Sequence, residues 1–471
     1  MRQGETITVH IDSINSEGEG IARAGSGGFV VFVPGALPGE TSVCRVTRLS
    51  KKYAAAAVID ILEKSPDRTE PRCKQYGRCG GCHLQHASYP SQLEIKGRIL
   101  TDALRRIGRA CYTGKIDCEP SPEEWGYRNK TTLPFRGRGD GRVVCGYYER
   151  RTHNVIPFGD CAILRPPIGR LISQTMTALQ NSGFRAYDEA KKSGDMRHIA
   201  MRSGERGTRE DVISGIVMAR DLSARELGRL RHIYQEIGME NREMTGAVLN
   251  VNTAPGNFVW GPVSRVIHGR GLLGERLGGY KFRCDISSFF QVNSPQAERM
   301  FERVKSVVKS VGASSALELY SGVGSLTAYL ADAAGHVDAV EERGQSVRQL
   351  KENMELNGIC NVRAIAGSAE NFMISGENLE GGRYEVIVLD PPRTGCDERV
   401  TEGIRQARPE KVVYVSCNPA TLARDVSRLS EGGMYEVEDV SAFDMFPQTS
   451  HVEAVCVMRK IPVRRKRALL T

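Results

Sequence analysis

The feature that most constrains the fold is a regular alternation of helical segments and short apolar strands after Asp285. A helix over 296–310 precedes the strand-like runs ALELY, HVDAV, EVIVLD and KVVYVS, and helical stretches separate most of them. Strands that alternate with helices predict a parallel sheet with helices on both faces, the doubly wound α/β architecture. We therefore predict an α/β domain over 285–471, with its ligand at the carboxyl ends of the strands.

The preceding residues predict two further domains. In the first, over 1–64, Ile7, Val9 and Ile11 point to one side, and Gly/Pro turns separate short apolar runs. This pattern predicts a small β-barrel of the OB type, a fold that often binds RNA, although a purely structural β-domain would show the same pattern. Residues 65–284 predict a mixed α+β central domain that begins with a cysteine-rich segment.

Composition limits the class of protein and its partners. A chain of 471 residues with 40% hydrophobic residues is too long for one core and too apolar for disorder. Its net charge of +9 favours a polyanionic partner such as nucleic acid, but a solvated surface would also account for it. The chain has no apolar run long enough for a membrane span and no signal-peptide core, so we expect a cytoplasmic protein with reduced thiols.

A glycine turn follows the first strand of the α/β domain. In LELYSGVGSLT, Gly322 and Gly324 allow a tight turn and a close approach to a ligand. Thr327 stands where dinucleotide-binding proteins have a third Gly or Ala, which argues against a pyrophosphate ligand. Glu341 ends the next strand, where a carboxylate can accept both ribose hydroxyls. The pattern predicts adenosine without phosphates, which indicates S-adenosylmethionine; a structural turn followed by a surface Glu is the alternative.

Three later loops carry reactive side chains. Asp390 ends a strand and precedes two prolines in VLDPPRTG, and Cys417 holds the same place after the next strand in YVSCNP. Because the carboxyl ends of parallel strands share one edge, both loops should open into one cleft. Glu453 begins the last strand, where its carboxylate could reach that cleft as a general base.

Four cysteines of the central domain form a candidate metal site. Cys73, Cys79 and Cys82 are close in sequence, and Cys161 follows far downstream. Four thiolates suffice for a [4Fe-4S] cluster or for zinc, and the spacing alone leaves both open.

Read in order, the motifs FFQVN, LELYSGVGSLT, LDPPRTG, YVSCNPATLARD and FDMFPQTSHVEAV resemble those of the RNA uracil-5 methyltransferases, which methylate carbon 5 of uridine. The resemblance covers nearly the whole chain: the N-terminal region is similar to a TRAM domain and 73–161 to the iron-sulfur segment of that family. It implies a class I methyltransferase domain at the C-terminus, and it favours iron-sulfur over zinc at the four cysteines.

The resemblance also implies roles for individual residues. Cys417 would add to carbon 6 of uracil as a nucleophile, and Glu453 would remove the carbon 5 proton. Phe289 or Phe290 would stack on a base flipped out of the RNA. The residues expected to contact the methyl donor are Gln291, Tyr320, Gly322, Gly324, Ser325, Glu341 and Asp390.

Two positions depart from the family pattern. Many relatives have Cys at Ser321, a change we expect to be neutral, and Asp at Ser368, a position near the adenine in this fold, so the departure leaves the role of Ser368 as a ligand open. The expected function is methylation of ribosomal RNA by a monomer, with uridine 54 of transfer RNA as the alternative substrate. An amino-methyltransferase, which would need neither Cys417 nor Glu453, and a non-catalytic RNA-binding protein are the rival functions.

Overall fold

The computed structural model describes residues 1–25, 28–108, 112, 114–206, 209–256, 258–375 and 383–462. The chain divides into two compact units. The first comprises Met1–Ile95, Ser121–Pro295 and Met445–Ser450, and the second comprises Lys96–Pro120, Gln296–Asp444 and His451–Thr471. In the part of the chain that the structure describes, no helix is long and apolar enough to cross a membrane.

The first unit begins with a closed five-stranded barrel. Its strands are β1 (Thr6–Ile14), β2 (Glu19–Ala24), β3 (Phe29–Pro34), β4 (Thr41–Leu49) and β5 (Tyr53–Glu63). They pair in the order β1-β2-β3-β5-β4, and β4 closes the barrel by pairing with β1. Val9 and Ile11 are buried in its core and Ile7 packs against it, as their alternation predicts. The predicted barrel is confirmed.

A helix and a short strand follow the barrel. They are α1 (Tyr89–Arg106) and β6 (Cys118–Glu119). Strand β6 pairs in parallel with Ala442 and Phe443, so it extends the sheet of the second unit. The buried ion pair between Lys96 of α1 and Asp444, the residue after Phe443, also connects this region to the second unit. The division into units differs from the predicted boundaries of 1–64, 65–284 and 285–471, because 96–120 packs with the second unit whereas 285–295 and 445–450 pack with the first.

The rest of the first unit is a mixed α+β structure, as predicted. A seven-stranded sheet has the order β13-β12-β11-β10-β7-β8-β9, and β14 pairs with β15 in a separate hairpin. The strands are β7 (Lys130–Gly137), β8 (Val143–Tyr148), β9 (Val155–Pro157), β10 (Met196–Arg206), β11 (Arg209–Met218), β12 (Met244–Val251), β13 (Val263–Gly269), β14 (Leu272–Leu277) and β15 (Tyr280–Asp285). The helices α2 (Pro166–Gln180) and α3 (Ala224–Glu240) bury apolar side chains in the same core.

The second unit is a doubly wound α/β domain. Its sheet has the order β18-β17-β16-β19-β20-β22-β21-β6, in which β18 to β20 are parallel and β22 is antiparallel to β20. Its strands are β16 (Ser315–Leu319), β17 (His336–Glu341), β18 (Val362–Ala366), β19 (Val386–Leu389), β20 (Lys411–Ser416), β21 (Tyr435–Phe443) and β22 (Glu453–Lys460). Its helices are α4 (Ser294–Val311), α5 (Ser325–Ala331), α6 (Gly344–Leu356), α7 (Ala369–Ile374), α8 (Glu398–Ala407) and α9 (Pro419–Leu429). The chain order reverses between β16 and β19, which makes their carboxyl ends the expected ligand site.

Candidate active site

The glycine turn after β16 has a conformation that favours glycine. Gly322 has φ +58° and Gly324 has φ +87°, values that L side chains rarely adopt. A Cβ at Gly322 would meet no atom within 4 Å, whereas a Cβ at Gly324 would lie 2.9 Å from Leu350 Cγ. Gly322 therefore faces open space at the carboxyl edge of the sheet, and Gly324 packs closely against α6.

Glu341, at the end of β17, is attached to that turn. Its Oε2 accepts a hydrogen bond of 3.0 Å from the Gly322 amide, and its Oε1 accepts one of 2.8 Å from the Arg343 amide. Two charge-assisted bonds hold the carboxylate in one orientation, and each oxygen has a further lone pair for a ligand.

The Asp-Pro-Pro loop after β19 is hydrogen-bonded to the cysteine turn after β20. The backbone carbonyl of Arg393 accepts bonds from the Asn418 side-chain amide at 2.9 Å and from the Thr421 hydroxyl at 3.3 Å. Asn418 also caps α9, because its side-chain oxygen accepts from the Ala420 amide. Cys417 thus lies on a turn that is hydrogen-bonded to the Asp-Pro-Pro loop and that leads directly into the capped end of α9.

Cys417 and Glu453 lie close enough for their charges to interact. Burial, and to a smaller extent the charges of Glu453 and Asp390, raise the pKa of the half-buried Cys417 thiol to about 11, although the Arg393 guanidinium opposes the increase through its charge and a hydrogen bond. Glu453 is 5% exposed, and burial, followed by the charge of Asp390, holds the pKa of its carboxyl well above the usual range. The structure therefore brings together the two residues predicted to react, with an arginine beside them.

Two further carboxyls belong to this group. Burial raises the pKa of Asp390 to about 7. Burial, and to a smaller extent the charges of Asp390 and Glu341, raise the pKa of Glu318 on β16 to about 8. Within the described residues, Glu318 Oε2 has no hydrogen-bond partner, although the side chain is 1% exposed. Carboxyls with raised pKa values are typical of functional sites.

The remaining predicted residues of this unit lie near the glycine turn or at the start of a helix. The Tyr320 hydroxyl donates to Glu370 at 3.4 Å, and Ser325 is the first residue of α5. The Ser321 amide and hydroxyl both donate to the Val340 carbonyl, so this serine stabilises the turn. The Ser368 hydroxyl accepts from the Asn371 amide and caps α7, which is a structural role.

Gln291 and the two candidate stacking residues belong to the first unit. The Gln291 side chain is 5% exposed, and its backbone carbonyl accepts from the Asn129 side-chain amide. Phe290 is 2% exposed and packs against the ring of Phe282, so it cannot stack on a base. Phe289 is 67% exposed and remains the candidate.

The four cysteines of the first unit also influence one another. Burial, and to a smaller extent the charges of Cys161, Cys79 and Cys73, raise the pKa of Cys82 to about 12. The Gly81 amide donates to Cys79 Sγ at 3.4 Å, as amides do around metal-bound thiolates. Nevertheless, among the residues described, no group of three or more His, Cys, Asp or Glu side chains is arranged to hold a metal ion. The predicted cluster is therefore not confirmed.

Sequence reasoning missed the electrostatic parts played by Arg393 and Glu318. Arg393 lies inside the DPPRTG motif, so a cation within a loop already assigned to the cleft was the available signal. Glu318 lies within a buried apolar strand. Ionising an acid in such surroundings costs free energy, so an acid at this position indicates a function.

Comparison with known proteins identifies the family. The family model for tRNA (uracil-5-)-methyltransferases matches residues 273–461, and the TRAM domain model matches residues 2–59. An uncharacterized RNA methyltransferase of Halalkalibacterium halodurans is 35% identical over 97% of this chain and 98% of its own length. This chain belongs to the RNA uracil-5 methyltransferase family.

Other relatives agree with this assignment. An uncharacterized RNA methyltransferase of Gloeobacter violaceus is 36% identical over 97% of each chain. Among solved structures, this methyltransferase resembles the tRNA (uracil-54, C5)-methyltransferase of Pyrococcus abyssi in complex with S-adenosyl-L-homocysteine. That match has a TM-score of 0.74 and 25% sequence identity, and it covers 96% of this chain and 100% of the other.

These findings confirm the family, the fold class and the enzymatic nature of the protein. They support S-adenosylmethionine as the methyl donor and RNA as the substrate. The non-catalytic RNA-binding alternative is therefore excluded. The RNA that is modified and the roles of the individual residues are left as predictions.

Proposed function

We propose that this protein methylates carbon 5 of a uridine in ribosomal RNA, with Cys417 as the nucleophile and Glu453 as the base. The proposal rests on the observation that these two side chains, 36 positions apart in sequence, interact electrostatically and that Asp390 and Arg393 influence the pKa of both. An amino-methyltransferase would not need a thiol and a carboxyl in this arrangement.

The thiol starts the reaction. Carbon 5 of uracil is a poor nucleophile until a thiolate adds to carbon 6 and creates an enolate. After the Cys417 proton has left to solvent, its sulfur forms a bond to carbon 6, and the electron pair moves towards carbon 4 and its oxygen. Arg393 assists because its guanidinium lowers the pKa of the thiol.

The carboxyl completes the reaction. Bound S-adenosylmethionine would supply an electrophilic methyl group: carbon 5 would form a bond to it with the enolate electrons, the sulfur–methyl bond would break, and S-adenosylhomocysteine would leave. Glu453 then accepts the carbon 5 proton, the electrons of that bond restore the carbon 5–carbon 6 double bond, and the Cys417 sulfur leaves as thiolate. The raised pKa of Glu453 makes its ionised form a stronger base for this step.

The residues present suit the methyl donor. The Glu341 carboxylate, already oriented by two amides, would accept the ribose hydroxyls, and the open face of Gly322 would admit the ligand. Asp390, Tyr320 and Ser325 are proposed to contact the rest of the molecule. Gln291 is proposed by resemblance alone.

A denaturing gel tests the two chemical roles. Cys417→Ala should form no covalent complex with substrate RNA and S-adenosylmethionine. Glu453→Gln should form one and stall, because the methylated base cannot lose its proton and the thioether persists. RNA that contains 5-fluorouridine should trap the wild type at the same stage, since fluorine cannot leave as a cation.

The exposed thiol Cys360 of the same unit supplies the matched control. Cys360→Ala should retain both turnover and trapping. A shifted band with Cys417→Ala, or free turnover by Glu453→Gln, would show that the nucleophile or the base is another residue.

The choice of ribosomal RNA rests on the accompanying barrel and cysteine segment, which many ribosomal RNA members of the family share. The chain is proposed to act as a monomer. Mapping of 5-methyluridine in cells with and without the protein should show loss from ribosomal RNA. Loss from position 54 of transfer RNA alone would overturn this choice, and sedimentation of the purified protein checks the oligomeric state.

We also propose that Cys73, Cys79, Cys82 and Cys161 hold a [4Fe-4S] cluster. Their mutual effect on pKa and the amide beside Cys79 suit a four-thiolate site. Anaerobically purified protein should be brown, and Cys161→Ser should lose iron. A colourless protein with one zinc ion would support the zinc alternative and contradict the proposal.

A further inference from the structure

A cavity of about 570 Å³ lies in the first unit and has no role in the proposed reaction. It is lined by Arg72, by the loop before β7 at Trp125 and Gly126, and by residues from 159 to 173. Its volume falls within the range of about 300–1,000 Å³ that small-ligand sites occupy. It is therefore large enough for a single nucleotide.

The charges that line the cavity favour an anion. Arg72, Arg165 and Arg170 line it, and the exposed Asp160 is the one carboxylate among the described lining residues. Arg165 is 3.7 Å from Glu210, a long ion pair, and Arg170 pairs with Glu243. No carboxylate among the described residues pairs with Arg72. Arginine presents a planar donor set that matches phosphate, so at least Arg72 is available for one.

Trp125 supplies an aromatic surface beside this charge. Its ring is partly exposed, and the Arg72 guanidinium carbon lies 5.2 Å from the ring centroid. A nucleobase can stack on an indole or a guanidinium plane, and this contact accepts every base. In one cavity, a tryptophan can therefore stack on the base of a nucleotide and an arginine can bind its phosphate.

We infer that this cavity binds one unpaired nucleotide of the substrate RNA, with the base stacked on Trp125 and the phosphate at Arg72. The inference relies on RNA as the substrate class and not on the identity of the methylated uridine. All the lining residues belong to the first unit, whereas Cys417 and Glu453 belong to the second. The cavity would therefore add affinity that does not depend on the reacting base.

Photocrosslinking tests the contact directly. The probe is a single-stranded 12-nucleotide RNA that contains 5-bromouridine, and the protein is the full chain with Cys417→Ala, which prevents thiol addition to the probe. Irradiation should join the RNA to the peptide that contains Trp125, identified by mass spectrometry after digestion. Binding of the RNA without any crosslink at Trp125 would overturn the inference.

Binding of a fluorescein-labelled form of the same RNA provides the second test. Trp125→Ala should weaken binding about tenfold, the typical effect of losing one stacked base, and Trp125→Phe should restore most of it. Arg72→Ala should also reduce the salt dependence by about one counterion. Because Arg231 is exposed on α3, Arg231→Ala makes the same change of charge outside the cavity and should have a much smaller effect.

Two results would contradict the inference. Equal effects of Arg72→Ala and Arg231→Ala would indicate general charge attraction. Competition by free uridine monophosphate at low concentration, without any effect of Trp125→Ala on RNA binding, would indicate a free nucleotide as the ligand.

Discussion

Substitution by alanine at the two glycines of the turn after β16 should have different effects: mainly a loss of stability at Gly324 and mainly a loss of ligand affinity at Gly322. At Gly324 an alanine adopts a left-handed conformation that costs about 1–2 kcal/mol. Its Cβ would also lie 2.9 Å from Leu350 Cγ and 3.0 Å from Met354 Cε, and both side chains are buried. Overpacking of this kind adds about 1–3 kcal/mol. At Gly322 the same backbone cost of about 1–2 kcal/mol applies, but no atom lies within 4 Å of the new Cβ.

Thermal unfolding and calorimetry separate the two effects. With mid-range costs of about 3.5 kcal/mol for Gly324→Ala and about 1.5 kcal/mol for Gly322→Ala, the Tm of the second unit should fall by about 7–14 °C and by about 3–6 °C, respectively. Below these transitions, Gly322→Ala should lose most of its affinity for S-adenosylmethionine, because its methyl group occupies the proposed ligand space, whereas folded Gly324→Ala should retain it. A larger fall in Tm for Gly322→Ala, or unchanged cofactor affinity in that variant, would refute the reasoning.

Three further predictions follow from the carboxyls and the thiol. Glu341→Gln should bind S-adenosylmethionine about 10- to 100-fold more weakly, since a hydrogen bond to a charged group contributes about 1.5–3 kcal/mol, and an unchanged Kd by calorimetry would exclude it from the site. The rate of adduct formation should rise about tenfold per pH unit from about pH 7 to 9, because the Cys417 pKa of about 11 leaves the thiol mostly protonated in that range. Arg393→Ala should form the adduct more slowly at each pH, whereas Arg393→Lys should not. A rate that does not change with pH would argue against the thiolate step. Glu318 has a folded-state pKa of about 8 against about 4.3 when unfolded, so the folded state binds more protons between these values and stability falls as pH rises, by up to about 1.4 kcal/mol per unit. The fall in Tm from pH 5 to 8 should be smaller in Glu318→Gln, and an identical fall would contradict the assignment.

Local periodicity was sufficient to predict most of the elements. The helix predicted over 296–310 is α4 (Ser294–Val311), and KVVYVS coincides with β20 (Lys411–Ser416). These agree because the pattern of apolar residues reports which face of an element is buried. The sequence pattern also predicted that Asp390 and Cys417 lie on neighbouring loops, since parallel strands have their carboxyl ends at the same edge of the sheet.

Tertiary packing determined the features of the structure that sequence periodicity does not predict. Strand β6 has two residues, too few to show a pattern, and it joins the second unit only because it pairs with β21. Phe289 and Phe290 are adjacent and identical in type, yet one is 67% and the other 2% exposed.

The sequence by itself determined the fold class and the family, because local patterns and motifs identify both, and it predicted the residues that are proposed to carry the chemistry. Only the tertiary structure decided their electrostatics. Glu453 lies 36 positions after Cys417, and burial and the charge of Asp390 raise the pKa of both groups, whereas the charge of Arg393 opposes the increase. A pKa depends on the surroundings of a group in space, and those surroundings come from three segments, the Asp-Pro-Pro loop, the turn after β20 and strand β22, which no short stretch of sequence contains.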